Sequence, residues 1–222
     1  MRKHLIQIVY AILAWFAPIM PFATFVALLV SVDFLGEAPT IKPVGMIILP
    51  ILLIVYAVVY SGVIGLGIVN IVHSFRTFRK GEQEFCFDSM IIMKYGMIPF
   101  FLANLVSVLI NHMIMIVAGH GITLIFIVVT IPVAVFITYL YMLPGAFWGL
   151  QTVRLCENNG LLKKPAEIAH GILQYIFVAD IASTAYLSIK VCKRWKKLTF
   201  VGIIVSAVLV LALGVWIFLI FA

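Results

Sequence analysis

Apolar residues run along this chain in stretches far longer than the face of a soluble helix requires. Residues 5–32, 45–72, 91–117, 122–150 and 198–222 form runs of 25 to 29 residues, which together hold one lysine, one histidine and no aspartate, glutamate or arginine. A helix crosses a bilayer core with ~20 apolar residues, so each run predicts one transmembrane helix with length left for tilt. The period-two alternation of a membrane barrel strand is nowhere evident, and isolated strands cannot satisfy their backbone in lipid. The pattern therefore predicts an all-α, polytopic integral membrane helical bundle of five transmembrane helices, with residues 1–222 forming a single membrane domain.

One further stretch, about residues 161–190, is apolar enough to tempt a sixth crossing. Crossing would bury Asp180 near the bilayer midplane, at ~2.5–3.5 kcal/mol on insertion scales. It would also carry Lys190, Lys193, Arg194, Lys196 and Lys197 to the other side of the membrane. The pattern instead predicts a cytoplasmic amphipathic segment, interfacial or re-entrant. Glu167, His170 and Gln174 make a polar stripe against Ile168, Ile172, Leu173 and Ile176. After Val178 the polar set becomes Asp180, Ser183, Thr184 and Ser188. That change of phase predicts two short helices with a break near Asp180, which is placed to cap the second. Pro165 and Glu167 suit the first turn of the first helix.

Composition and charge add an orientation. At 65% hydrophobic and 10% charged residues the chain lies far from soluble usage, where charged residues run near ~25%. Its mean hydropathy is +1.24. With the amino terminus in the cytoplasm, thirteen of the fifteen basic residues fall on that side. Lysine and arginine in inner loops set topology, so a multi-pass protein of the plasma (inner) membrane is expected, amino terminus cytoplasmic and carboxyl terminus extracytoplasmic. The net charge of +7 is then expected to serve orientation and anionic lipid heads, and nucleic acid is not an expected partner. The basic start imitates a signal peptide, but the run is too long for an h-region and no A-x-A site follows. Cys86, Cys156 and Cys192 all fall in segments expected to be cytoplasmic, which predicts free, reduced thiols.

Candidate chemistry is sparse. Pro18 and Pro21 predict a helix break in the first span. Ser61 and Gly65 have the small-xxx-small spacing of a packing seam. Asn104, Ser107 and Asn111 share one face of the third span and are candidates for a polar path or for interhelical contacts. Asp88 or Ser89 is placed to cap that span, and Lys94 to snorkel from its cytoplasmic end. Pro144-Gly145 predicts a kink or stop in the fourth. His170, Gln174 and Asp180 are candidates for a cytoplasmic docking face. His112 and His120, with Asp33 and Glu37, match no ligand spacing, so neither metal nor cofactor is expected. No H-E-x-x-H, C-x-x-C, G-x-S-x-G, Walker A or G-x-G-x-x-G motif occurs, and no catalytic residue is assigned.

The leading functional expectation is a non-catalytic membrane component. It would act as an accessory, immunity or assembly subunit through contact with lipid or with a membrane or cytoplasmic protein. The alternatives are a small transporter or channel-like protein whose path follows Asn104, Ser107 and Asn111, and a membrane-embedded enzyme modifying lipids or peptides.

Overall fold

The computed structural model describes residues 2–19, 23, 42–118, 123–176 and 179–221, and among them it is all-helical. After a 3-10 turn at Arg2–His4 come α1 (Leu5–Phe16), α2 (Lys42–Arg79), α3 (Gln83–Gly96), α4 (Ile98–Ala118), α5 (Thr123–Asn158), α6 (Lys164–Leu173) and α7 (Ala179–Tyr186). A π-helical turn at Leu187–Val191 and α8 (Lys196–Phe221) complete the order. Three helical stretches are long and apolar enough to cross a membrane: Ile47–Arg79, Gln83–Ile110 and Ile131–Asn158. Leu5–Phe16 is apolar but shorter. These spans are compatible with a membrane protein.

Prolines and glycines punctuate the helices, though not always where their spacing suggests. α1 ends at Phe16, and Ala17 and Pro18 form a turn in which the Ala17 N–H donates to the Ala14 carbonyl at 3.1 Å; Pro21 lies outside the described residues. The third apolar run is two helices, α3 and α4, separated at Met97. Pro99 accounts for this, since its ring excludes the carbonyl one turn earlier yet fits the first turn of a new helix. By contrast, α5 continues through Pro144 and Gly145 to Asn158, where a kink or stop was expected. Near that proline the Tyr141 carbonyl accepts the Tyr10 hydroxyl at 2.8 Å. Neighbouring side chains can take up backbone groups disturbed by a proline, which lets a membrane helix keep its course. Gly81 and Gly160 hold φ of +70° and +71°, a region glycine enters without strain. At Gly160 the α5 helix closes in a Schellman motif, with Leu161 N–H on the Cys156 carbonyl at 2.8 Å.

The chain divides into two compact units. The first comprises Met1–Ile8, Gly67–Ile98 and Met142–Ala222; the second comprises Val9–Leu66 and Pro99–Tyr141.

In the second unit the Phe100 and Tyr141 rings stack at 4.8 Å. The expected seam is displaced: Ser61 and Gly65 are exposed, while a side chain at Gly62 would press on Leu13. Asn104 donates to the Thr138 hydroxyl at 2.8 Å, which joins α4 to α5. Ser107 donates to the Pro18 carbonyl at 2.9 Å. The Asn111 side chain lies outside the described residues. Both described members of the stripe thus make contacts between chain segments.

In the first unit the usual burial pattern of a soluble protein is inverted. Gln7, Asn70, Ser74, Gln151, Thr152, Gln174, Ser188 and Thr199 are fully buried, while Ile68, Val69 and Val72 of α2 face outward. Gln7 and Gln151 bury both amide atoms with no hydrogen-bond partner among the described residues.

Candidate functional site

The polar residues of the first unit converge on Lys94. It sits in the last turn of α3, just before the break at Met97. Its ammonium is 3.0 Å from the Asp180 carboxylate, with side chains only 7% and 9% exposed. The same Nζ donates to Gln174 Oε1. The Gln174 amide donates onward to Ser183 Oγ at 2.7 Å, and His170 Nδ1 meets that hydroxyl at 3.0 Å. Three elements therefore supply a continuous chain from half-buried His170 to buried Lys94: α3, the turn ending α6, and the first turns of α7.

Backbone features make this arrangement possible. α6 starts behind an extended Lys163, carries Pro165 in its first turn, and buries Glu167 within 3.0 Å of Lys164. It stops at Leu173, so Gln174 begins the turn and reaches inward. α5 makes room with Gly149, where any Cβ would overlap the Gln174 amide. Gly202 of α8 likewise admits the Tyr95 ring, adjacent to Lys94.

Sequence reading missed Lys94. A lone lysine near the end of an apolar run is expected to snorkel, but here it is buried because its counter-charge arrives from 86 residues along the chain. The expected docking trio is correspondingly redirected. Gln174 and Asp180 are 0% and 6% exposed, and both point at Lys94 rather than outward. What faces outward is Ile168 (52%) and Ile172 (60%) on α6 and Ile176 (49%) in the turn that follows it. Asp180 lies inside the first turn of α7 rather than before it.

Asp88 is also reassigned. α3 begins at Gln83, so Asp88 and Ser89 lie within the helix and not at its cap. Asp88 accepts Trp195 Nε1 at 2.8 Å and Arg194 Nη2 at 3.2 Å, and Glu84 meets the same guanidinium at 2.9 Å. The Arg194 carbonyl accepts the Ser188 hydroxyl. Together these contacts hold Lys193 and Trp195 at φ of 54° and 58°, a left-handed region costly for residues with a Cβ. Near the amino terminus, a groove of about 850 Å³ is lined by charges of both signs, including Lys3, Lys80, Glu82 and Asp88. His4 stacks on Phe85 there at 4.5 Å, and burial holds its ring below the ordinary histidine value.

Comparison with known proteins gives one match. A family model described as a family of unknown function (DUF6652) covers residues 12–197. The chain belongs to that family. The matched stretch includes Lys94, Gln174 and Asp180. No curated protein and no solved structure matches the chain.

A buried ion pair contributes little over a well-packed apolar substitute, but losing one partner strands a charge at a cost of about 3–5 kcal/mol. Lys94→Met or Asp180→Asn alone should therefore lower thermal stability in detergent by that order, and Lys94→Met with Asp180→Leu should recover most of the loss. Additive losses in the double variant would mean that the two side chains are not coupled.

His170 supplies a pH dependence of known sign. Burial holds its ring below the ordinary value of 6.5. The folded state thus binds fewer protons than the unfolded one, so its contribution to stability is present above that value and lost as pH falls through the folded value. Amide protection across residues 164–186, taken relative to the intrinsic exchange rate at each pH, should fall on acidification from about pH 7.5 to about pH 5.5. His170→Gln should flatten that response; an unchanged response would assign it elsewhere.

Proposed function

We propose that this chain is a non-catalytic component of the plasma (inner) membrane, working as an accessory, immunity or assembly subunit through protein or lipid contacts. In this reading five helices cross the bilayer, the amino terminus is cytoplasmic and the carboxyl terminus is extracytoplasmic. The apolar runs at 5–32 and 198–222 supply the first and last crossings, and the bias of basic residues supports the orientation. α6 and α7 then lie at the cytoplasmic surface or dip into it. Their 10 and 8 residues are each too few to cross.

One observation carries the reading. Gln174, Asp180, Ser183 and His170 of the α6–α7 segment are spent on Lys94 and on each other, and the ridge of Ile168, Ile172 and Ile176 is left facing outward. A segment built this way offers neighbours an apolar surface while the ion pair fixes its shape from behind. Asn104 and Ser107 support the same reading, because their hydrogen bonds tie segments together.

Two measurements test it. A carboxyl-terminal phosphatase fusion should be active and a fluorescent-protein fusion at the same place dark; the reverse pattern would remove the fifth crossing and the surface position of α6. Tagged full-length chain extracted in mild detergent should bring down a stoichiometric membrane partner, and Ile168→Ser with Ile172→Ser should abolish that recovery while Asn104→Leu leaves it intact. Substrate flux by the purified chain alone in liposomes, lost on Asn104→Leu, would replace this proposal with the transporter.

A further inference from the structure

Two of the three cysteines meet in the first unit. Cys156 lies in the last turns of α5 and is fully buried. Cys192 directly follows the π-helical turn and is partly exposed. Their sulfurs are 3.9 Å apart, with both thiols free. Gln83 Nε2 donates to the Cys156 sulfur at 3.4 Å, and a donor to sulfur favours the thiolate. Cys86 is buried on α3. Between Cys156 and Cys192 run α6 and α7, so the chain segment bounded by these sulfurs contains His170, Gln174 and Asp180.

We propose that Cys156 and Cys192 are a redox modification site: hydroperoxides convert them to an intrachain disulfide that clasps the α6–α7 segment to the end of α5. The oxidant enters at Cys192, the more accessible sulfur. Its sulfur attacks the peroxide oxygen, the O–O bond breaks, and the departing alkoxide takes the thiol proton to leave as alcohol, giving Cys192 sulfenic acid. The Cys156 sulfur then attacks the Cys192 sulfur. The S–O bond breaks, and hydroxide leaves with the Cys156 proton as water. In sum two thiols lose two electrons and two protons, and one hydroperoxide becomes one alcohol and one water. Burial and the hydrogen bond to Cys156 hold the Cys192 thiol well above its ordinary range, so the first step is slow at neutral pH and quickens as pH rises. A resting reduced pair that closes under sustained oxidant fits thiols in a reducing compartment.

The closed form would fix a long stretch of chain by its two ends. Because that stretch carries the counter-charge of Lys94, the clasp would slow local opening around the ion pair.

The test uses purified full-length chain in detergent, titrated with tert-butyl hydroperoxide. Two of the three thiols should disappear, with an intact-mass loss of about 2 Da that a phosphine reverses. Non-reducing peptide mapping should join the fragments carrying residues 156 and 192. Cys86→Ser should behave as the wild-type chain, whereas Cys156→Ser and Cys192→Ser should each leave no cross-link. Thermal unfolding of each reduced variant, compared with the reduced parent, separates loss of the bond from loss of the fold. A cross-link through Cys86, sulfinic acid at Cys192 without a cross-link, or three intact thiols under oxidant that cross-links the denatured chain would each overturn the proposal.

Discussion

The structure depends on one constraint: a charge buried inside the protein must find its counter-charge there. Water would draw Gln174, Asp180 and Glu167 outward and press Ile168, Ile172 and Ile176 inward. The fold does the opposite. An isolated helix with this inversion is unstable in water, whereas in lipid the exposed isoleucines cost nothing and the buried amides and charges satisfy one another. The same logic accounts for Tyr10 on the Tyr141 carbonyl, Asn104 on Thr138 and Ser107 on the Pro18 carbonyl.

The Lys94–Asp180 pair matters more for what it specifies than for net stability. Desolvating two charges offsets most of their attraction, so the pair adds little to the folding free energy. α6 and α7, however, have 10 and 8 residues, and helices this short are marginal by propensity alone. Their placement must come from tertiary contacts. A single ammonium reached by both Gln174 and Asp180 admits few other arrangements of the turn between the helices. Gly149 is part of the same specification, because its missing side chain is the space the Gln174 amide occupies. The strained pair Lys193 and Trp195 is held in a comparable way, by Asp88 and Glu84 gripping Arg194 and the indole.

What was legible in the sequence followed from this constraint acting locally. Apolar runs, the phase change after Val178 and the face shared by Asn104 and Ser107 are properties of contiguous residues, and each can be read without knowing any partner. Partners were not legible. Lys94 looked like a snorkelling lysine because nothing within a few turns marks Asp180 as its counter-charge. Asp88 looked like a helix cap because the sequence does not announce Arg194 and Trp195 as its ligands. Pro99 was passed over inside an apolar run, though it divides α3 from α4. Pro144 does not stop α5, because a membrane helix can continue past a proline where its neighbours receive the disturbed backbone groups.

Some of these misreadings share a cause that bears on function. Lys94, Gln174 and Asp180 were assigned outward, to lipid heads or a docking partner, and their partners lie within the chain. When such residues are reassigned inward, little polar surface remains on α6 with which to recognise anything. Beyond Lys164 the outward ridge is aliphatic, and its geometry is set by Lys94 and Asp180 behind it. Recognition on such a face rests on shape and on exclusion of lipid rather than on hydrogen bonds, as between packed membrane helices. An influence on the inner network, whether protonation at His170 or a covalent clasp between Cys156 and Cys192, would then be read outside only as a change in the position or rigidity of that ridge. On the proposed reading, regulation and contact would be separated across the thickness of one short helix, with the polar side holding the state and the apolar side presenting it.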